Sequence, residues 1–161
     1  VLDGIGFNNI DISKNKIRLL NKNTEITLNA LAQGILTDRI HEILLNSGIT
    51  NHLINFGEGR SSGLAPHQKK WLLNINKYTV DITNKGFSVS EAKSTILPNK
   101  KSHLFNANIY NAAKDIPSKT IVIANSATLA DGLSTTYAVS SKIVREKLVK
   151  YFSDAQFIIN T

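Results

Sequence analysis

A β-branched run followed by small residues decides the fold of this chain: Thr120-Ile-Val-Ile-Ala-Asn-Ser-Ala-Thr-Leu-Ala-Asp-Gly-Leu-Ser-Thr-Thr136. The run predicts a strand, and Asn125 and Ser126 are candidate N-caps of the helix that follows, whose N-terminus would attract anions. On that helix Asp131 and Thr135 are four residues apart, so they project from one face and can offer a carboxylate and a hydroxyl to one hard cation. The spacing therefore predicts Mg²⁺ with a phosphate ester. An alternative remains, in which Asp131 complements the helix dipole and Thr135 bonds back to the preceding turn.

The length and composition indicate one domain. A chain of 161 residues can bury about two-thirds of its unfolded surface. The absence of Cys excludes disulfides, thiolate zinc sites and cysteine nucleophiles. The sequence also contains no Met, so we expect it to have been processed or cut from a longer product. No apolar run reaches the ~20 residues of a membrane span.

The charge balance is basic, with 19 Lys and Arg against 12 Asp and Glu and a net charge of +7. Such a balance suits an anionic ligand or a nucleic acid. The basic residues nevertheless lie in separate segments without interleaved aromatic residues, which is typical of solvated faces. A nucleic-acid binder is kept as an alternative, and its steeply salt-dependent binding would not depend on Asp131.

Hydrophobic periodicity predicts an α+β domain. Strands are expected at residues 10–12, 16–20, 52–56, 71–75, 78–82, 87–90, 120–123 and 155–159. The first two predict a hairpin, and 78–82 is expected to pair with 87–90 across the turn at 83–86. Helices are expected through residues 35–44 up to Asn46, after residue 126, and from residue 141, with a polar loop at 61–70. His41, His52 and His67 are expected at the surface.

Four segments carry a resemblance to a known family: Thr27-Leu-Asn-Ala-Leu-Ala-Gln-Gly-Ile-Leu-Thr-Asp38, Leu53-Ile-Asn-Phe-Gly57, Ser102-His-Leu-Phe-Asn106 and Ala130-Asp-Gly-Leu-Ser-Thr135. Together, and in this order, they resemble the ApbE family, the FAD:protein FMN transferases. The chain is similar to a subgroup that it matches at Asn29, Ala32-Gln-Gly34, Thr37-Asp38 and Gly57-Glu58. The resemblance implies a T-fold-like mixed sheet with flanking amphipathic helices. It also implies one ApbE-like domain over residues 1–161 that lacks the N-terminal portion of the family.

The resemblance further implies an activity, namely Mg²⁺-dependent transfer of FMN from FAD to a Thr or Ser hydroxyl of a target protein with release of AMP. Asp131 and Thr135 would be the catalytic residues. Mg²⁺ would be held by the Asp131 carboxylate, the Thr135 hydroxyl and the main-chain carbonyl of Ala30. FAD and a flavin-acceptor protein are the implied partners, without nucleic acid. The alternative is a FAD-binding module or FAD pyrophosphatase that does not transfer FMN to protein.

Five residues correspond to positions on the cofactor side of the family's site: Thr27, Gln33, His103, Phe105 and Ser134. For His103 the alternative is a structural histidine that contacts no ligand. Gln33 stands where the common family pattern has a lysine, so it offers a hydrogen bond but no charge. Glu91 departs from the pattern, and its carboxylate would repel a diphosphate unless it points away or helps to bind the metal. The family is typically exported and lipid-anchored, so the resemblance implies a periplasmic or inner-membrane-attached protein, anchored through an N-terminal segment that this sequence does not include.

Overall fold

A computed structural model describes residues 2–75, 78–91, 104 and 117–160 of the chain. The described strands are β1 (Ile10–Ser13), β2 (Lys16–Leu19), β3 (His52–Asn55), β4 (Gly59–Ser62), β5 (Leu72–Ile75), β6 (Tyr78–Asp81), β7 (Gly86–Glu91), β8 (Lys119–Ala124) and β9 (Gln156–Asn160). The described α-helices are α1 (Ala32–Asn46), α2 (Ala127–Val139) and α3 (Lys142–Tyr151). The predicted α+β class is therefore confirmed.

A five-stranded antiparallel sheet organises the fold in the order β3-β4-β7-β8-β9. Helix α2 packs on β7 and β8, and α1 packs against α2. Strand β8 is buried on both faces because its alternate residues enter two different apolar clusters. Val122 joins the cluster that includes Leu133 of α2, whereas Ile123 joins Phe87 and Ile82 on the opposite face. The run singled out first in the sequence therefore lies in the centre of the domain.

The predicted hairpin between 78–82 and 87–90 is wrong. Strand β6 pairs with β5 in a separate two-stranded sheet, and β7 pairs with β4 and β8. The physical reason is burial. The first residues of β7, Gly86 to Ser88, are buried and need neighbours on both sides, while β6 is mostly exposed, including Tyr78. The hairpin of β1 and β2 is confirmed.

Strand β4 replaces the start of the polar loop that was expected at residues 61–70. Its sequence, Gly-Arg-Ser-Ser, lacks the β-branched residues that identify strands. Small residues are required there because the ring of Phe87 lies directly over the strand. A Cβ added to Gly59 would come within 2.0 Å of Cζ of Phe87.

Helix α1 and strand β9 follow the predicted pattern. Helix α1 ends at Asn46, as expected, and β9 forms at the predicted place. Leu148 and Phe152, at the end of α3, pack against the core, whereas Ile143 and Tyr151 are exposed. None of the described helices has the length and apolar character needed to cross a membrane. The segments 92–103 and 105–116 lie outside the described residues.

Candidate functional site

Helices α1 and α2 cap each other's N-termini through two aspartates. Asp131 of α2 accepts a hydrogen bond from the N–H of Gly34, at 3.0 Å to Oδ2. Asp38 of α1 accepts hydrogen bonds from the N–H groups of Ala127 and Thr128, at 2.9 and 2.8 Å. The helices touch at Gly34, where a Cβ would lie 2.7 Å from the carbonyl oxygen of Ala127. Each aspartate thus compensates the partial positive charge of the other helix rather than of its own.

The N-terminus of α2 is closed to an external anion, contrary to the expectation from sequence. Its first two N–H groups donate to Asp38. The third, of Leu129, donates to the Ser126 side chain at 3.1 Å, and the fourth, of Ala130, donates to the Ser126 carbonyl. The unpaired N–H groups of the first three helical residues are therefore satisfied by side chains, and Ala130 makes the first regular helical bond. Ser126 is confirmed as the N-cap.

The carbonyl oxygen of Ala30 is left open at the start of α1. Ala30 precedes the N-cap Leu31, and the first regular bond of α1 runs from the N–H of Ile35 to the carbonyl of Leu31. Within the described residues, no donor bonds to the Ala30 carbonyl. The N–H of Gly34 donates to Asp131 and so holds that carboxylate at the start of α1.

Four hydroxyl groups of β7 and α2 form a connected chain beside Asp131. The Oγ atoms of Ser88 and Ser90 each lie 2.8 Å from Oγ of Ser134. Ser134 also donates to the Asp131 carbonyl at 3.0 Å, and Oγ1 of Thr135 lies 3.2 Å from Oγ of Ser90. Ser134 is fully buried, and its three partners use its whole hydrogen-bonding capacity. Thr135 is partly exposed, and donating to Ser90 leaves its oxygen lone pairs free for a cation.

Glu58 adds a second buried carboxyl group, which contacts Ser88 of the hydroxyl chain. It lies in the turn between β3 and β4, is 6% exposed, and its Oε2 has no hydrogen-bond partner. Burial raises the pKa of Glu58 from 4.5 to about 7; a hydrogen bond with Ser88 opposes this rise, and the charge of Asp131 adds to it. Burial likewise raises the pKa of Asp131, against the opposing effect of the Gly34 N–H.

The electrostatics of the two carboxyl groups favour a bound cation. No cationic side chain among the described residues contributes to the pKa shift of Glu58 or of Asp131. Buried carboxylates without a cationic neighbour are costly, and a divalent ion would offset both the burial and the mutual repulsion.

The oxygen atoms available here fit Mg²⁺. Oδ2 of Asp131 is engaged by Gly34, while Oδ1 has no hydrogen-bond partner among the described residues. The Ala30 carbonyl, the Thr135 hydroxyl and this carboxylate oxygen are all hard oxygen donors, the type that Mg²⁺ prefers, and their joint binding of one ion stays a prediction. No group of three or more His, Cys, Asp or Glu in the described part of the chain is placed to hold a metal. The remaining ligands of a Mg²⁺ ion would accordingly be waters and phosphate oxygens.

Of the predicted cofactor-side residues, Thr27 and Gln33 lie near the start of α1. Oγ1 of Thr27 accepts the N–H of Asn29 at 3.3 Å in the segment before α1. The Gln33 amide lies against Gly57, where a Cβ would be 3.4 Å from its Oε1. His103 and Phe105 lie outside the described residues. A direct contact of any of these side chains with a cofactor stays a prediction.

Glu91 points away from the hydroxyl chain. Side chains alternate along a strand, so the face of β7 that presents Ser88 and Ser90 to α2 is opposite to the one that carries Glu91. Oε1 of Glu91 lies 3.8 Å from Nζ of Lys119, its register partner on β8. This pairing on the other face removes the conflict with a diphosphate that the sequence suggested.

The prediction that His52 lies at the surface is wrong. His52 is buried, and its Nδ1 lies 2.9 Å from the carbonyl oxygen of Ile49. A carbonyl can only accept, so Nδ1 carries the proton and Nε2 accepts from Nδ1 of His41 at 2.9 Å. Burial lowers the pKa of His41, and the charge of Arg60 lowers it further. The pair joins α1 to β3, whereas His67 is exposed as predicted.

Sequence reasoning missed three parts of this site: Glu58, the two serines of β7 and the capping role of Asp38. Glu58 was quoted only as part of a motif. Ser88 and Ser90 stand two apart in a strand, and that period predicts that they share a face. No local pattern indicates that Asp38 caps a helix that begins 89 positions later, at Ala127.

The ApbE family matches residues 1–159 of the sequence. The chain belongs to the ApbE family. A comparison with curated proteins found no match.

Solved structures of ApbE proteins share the fold. A flavin transferase ApbE from Vibrio cholerae has a TM-score of 0.82 at 17% identity, over 99% of this chain and 58% of the other. The flavinyl transferase ApbE from Pseudomonas stutzeri, in its apo form, has a TM-score of 0.81 at 21% identity, over 99% and 52%. The ApbE protein from Thermotoga maritima has a TM-score of 0.82 at 19% identity, over 98% and 56%. The chain thus spans little more than half the length of these ApbE structures.

Proposed function

We propose that this chain provides the Mg²⁺ and diphosphate site of an enzyme that transfers FMN from FAD to a Thr or Ser hydroxyl of a target protein, releasing AMP. Membership of the ApbE family supports flavin transfer in general. The observation that carries the proposal is the buried Asp131 carboxylate, which the N–H of Gly34 holds at the start of α1 beside the chain of hydroxyl groups that ends at Thr135. The Ala30 carbonyl, in the segment just before α1, is the third proposed ligand.

The reaction replaces the phosphoanhydride bond of FAD with a phosphoester bond to the acceptor hydroxyl. The bond between the FMN phosphorus and the bridging oxygen breaks, the electron pair leaves with AMP, and the acceptor hydroxyl forms the new bond while it gives up its proton. When bound, Mg²⁺ would neutralise charge that develops on the diphosphate oxygens. The protein's own task is to hold the participating groups in line, because phosphoryl transfer depends mainly on positioning and electrostatics.

Each residue of the site has a role in that positioning. The N–H of Gly34 fixes one carboxylate oxygen of Asp131, which directs the other oxygen outward. Ser90 orients the Thr135 hydroxyl, and Ser134 ties both serines of β7 to the backbone of α2. These contacts are made in advance, so little reorganisation is needed when nucleotide binds.

The test is covalent labelling. The protein is incubated with FAD, Mg²⁺ and a candidate acceptor protein, and a denaturing gel is inspected for flavin fluorescence on the acceptor while AMP is measured. We expect a labelled acceptor with one AMP per flavin, no label in EDTA, and no label with Asp131→Asn. Asp154→Asn, which changes an exposed aspartate, is the matched control and should label normally.

The remaining outcomes discriminate the alternatives. Release of AMP and free FMN without a labelled acceptor would favour the FAD pyrophosphatase. Labelling that survives Asp131→Asn would contradict the proposed site. A periplasmic or membrane-attached location is a proposal from the family resemblance, and fractionation of cells that produce the full protein tests it.

A further inference from the structure

We propose that Glu58 supplies a further carboxylate oxygen to the cation held by Asp131, so that the protein binds the divalent ion before any nucleotide arrives. The inference rests on the proposed function, because it assumes a cation at Asp131. It adds a ligand that the sequence resemblance did not assign.

First, one oxygen of the buried Glu58 carboxyl group, Oε2, has no hydrogen-bond partner. Four buried side-chain atoms in the described residues lack a hydrogen-bond partner: Thr37 Oγ1, Glu58 Oε2, Arg60 Nε and Thr120 Oγ1. Oε2 is the only carboxylate oxygen among them. Leaving a buried carboxylate oxygen unpaired is more costly than leaving a hydroxyl unpaired, because the charged form needs strong compensation. A ligand that compensates this oxygen is therefore required when Glu58 is ionised.

The second step is the direction in which Glu58 points. Its carboxyl group is within reach of the Ser88 hydroxyl and of the charge of Asp131. Ser88 bonds to Ser134, which in turn bonds to the carbonyl of Asp131. The β3–β4 turn thus brings the Glu58 carboxyl group to the hydroxyl chain, which also bonds to the backbone of Asp131.

The third step is local charge. With Asp131 alone, a Mg²⁺ ion would keep one positive charge for which nucleotide phosphates must compensate. With Glu58 as a second ligand, two carboxylates neutralise both positive charges of the Mg²⁺ ion. The ion can then bind to the protein without phosphate. Among the described residues, neither carboxyl group forms an ion pair with a cationic side chain, so a bound divalent ion would supply the opposite charge.

The experiment measures Mn²⁺ binding, with Mn²⁺ as a spectroscopic substitute for Mg²⁺. Free Mn²⁺ is followed by electron paramagnetic resonance in titrations of the metal-free protein, without FAD and with saturating FAD. The proteins are the wild type, Glu58→Gln, Glu58→Asp and Asp131→Asn. Glu42→Gln is the matched control because Glu42 is an exposed glutamate of α1 that pairs with Arg39. Circular dichroism checks that each variant is folded.

We expect the wild type and the Glu42 variant to bind one Mn²⁺ without FAD. Glu58→Gln should weaken this binding about 10- to 100-fold, with partial recovery when FAD is added. Glu58→Asp keeps the charge but withdraws the oxygen by one methylene, so it should also weaken binding. Asp131→Asn should abolish binding without FAD.

Each contrary result has a distinct meaning. Unchanged affinity in Glu58→Gln, or no Mn²⁺ binding by the wild type without FAD, overturns the role of Glu58. Unchanged affinity in Glu58→Asp overturns direct coordination. If Asp131→Asn binds Mn²⁺ as the wild type does, the cation site of the proposed function is itself wrong, whatever Glu58 does.

Discussion

Replacing Glu58 with Gln should stabilise the metal-free protein at alkaline pH. The folded-state pKa of Glu58 is about 7, against an ordinary value of 4.5, because the carboxyl group is buried. A carboxyl group with a raised pKa favours the folded state fully below pH 4.5. That contribution is lost as the pH rises from 4.5 through 7, because the folded state then has to hold a buried charge. Gln resembles the protonated side chain and carries no such charge.

The size of the effect follows from the pKa difference. At 1.36 kcal/mol per pH unit, the interval from 4.5 to about 7 corresponds to roughly 3 kcal/mol. Solvent reaches the cluster on the side of the partly exposed Thr135 and screens part of the cost, so we expect about 1–2 kcal/mol.

The assay is urea unfolding in EDTA at pH 5 and pH 8, followed by circular dichroism. The quantity of interest is the free energy of unfolding of Glu58→Gln minus that of the wild type. We expect this difference to be about 1–2 kcal/mol larger at pH 8 than at pH 5, because only the wild type carries the buried charge at pH 8. Glu42→Gln should show no such change, since its carboxyl group is exposed and pairs with Arg39. Parallel pH profiles for the wild type and Glu58→Gln would refute the reasoning.

Three further substitutions test other parts of the account. Gly34→Ala should lower the free energy of unfolding by about 1–3 kcal/mol in urea titrations, because its Cβ would meet the Ala127 carbonyl oxygen at 2.7 Å; a gain in stability would show that the helices are not in contact there. Asp38→Asn should cost about 1–2 kcal/mol in the same assay, since the carboxylate caps α2 with two backbone bonds, and an unchanged midpoint would contradict the cap. Gln33→Lys should keep or increase the rate of AMP release from FAD, because it adds a positive charge near the proposed diphosphate. A marked loss of rate would argue against the phosphate-side placement of Gln33.

Elements with a strong local signal could be predicted from the sequence. The β-branched run 120–123 and the N-cap Ser126 gave the correct strand and helix, and the apolar stripe of α1 gave its end at Asn46. These features depend on neighbouring residues only. Strand pairing does not, which is why β7 was assigned to the wrong partner and β4, built from small residues, was missed.

Only the site residues that lie in recognisable sequence motifs could be predicted. The resemblance pointed to Asp131, Thr135 and Ala30, and the structure adds the hydrogen bond from the N–H of Gly34 that fixes the Asp131 carboxylate. The reciprocal caps of α1 and α2 depend on a helix crossing, which no spacing along the chain encodes. Burial of Glu58 likewise arises from the packing of the β3–β4 turn against β7 rather than from its own motif.

The most direct test is a crystal structure of the protein grown with FAD and Mn²⁺, with diffraction data that record the anomalous signal of manganese. The account predicts one anomalous peak in contact with both the Asp131 carboxylate and the Ala30 carbonyl, beside the diphosphate of FAD. A manganese peak elsewhere in the fold, or FAD bound with its diphosphate away from the start of α1, would contradict it.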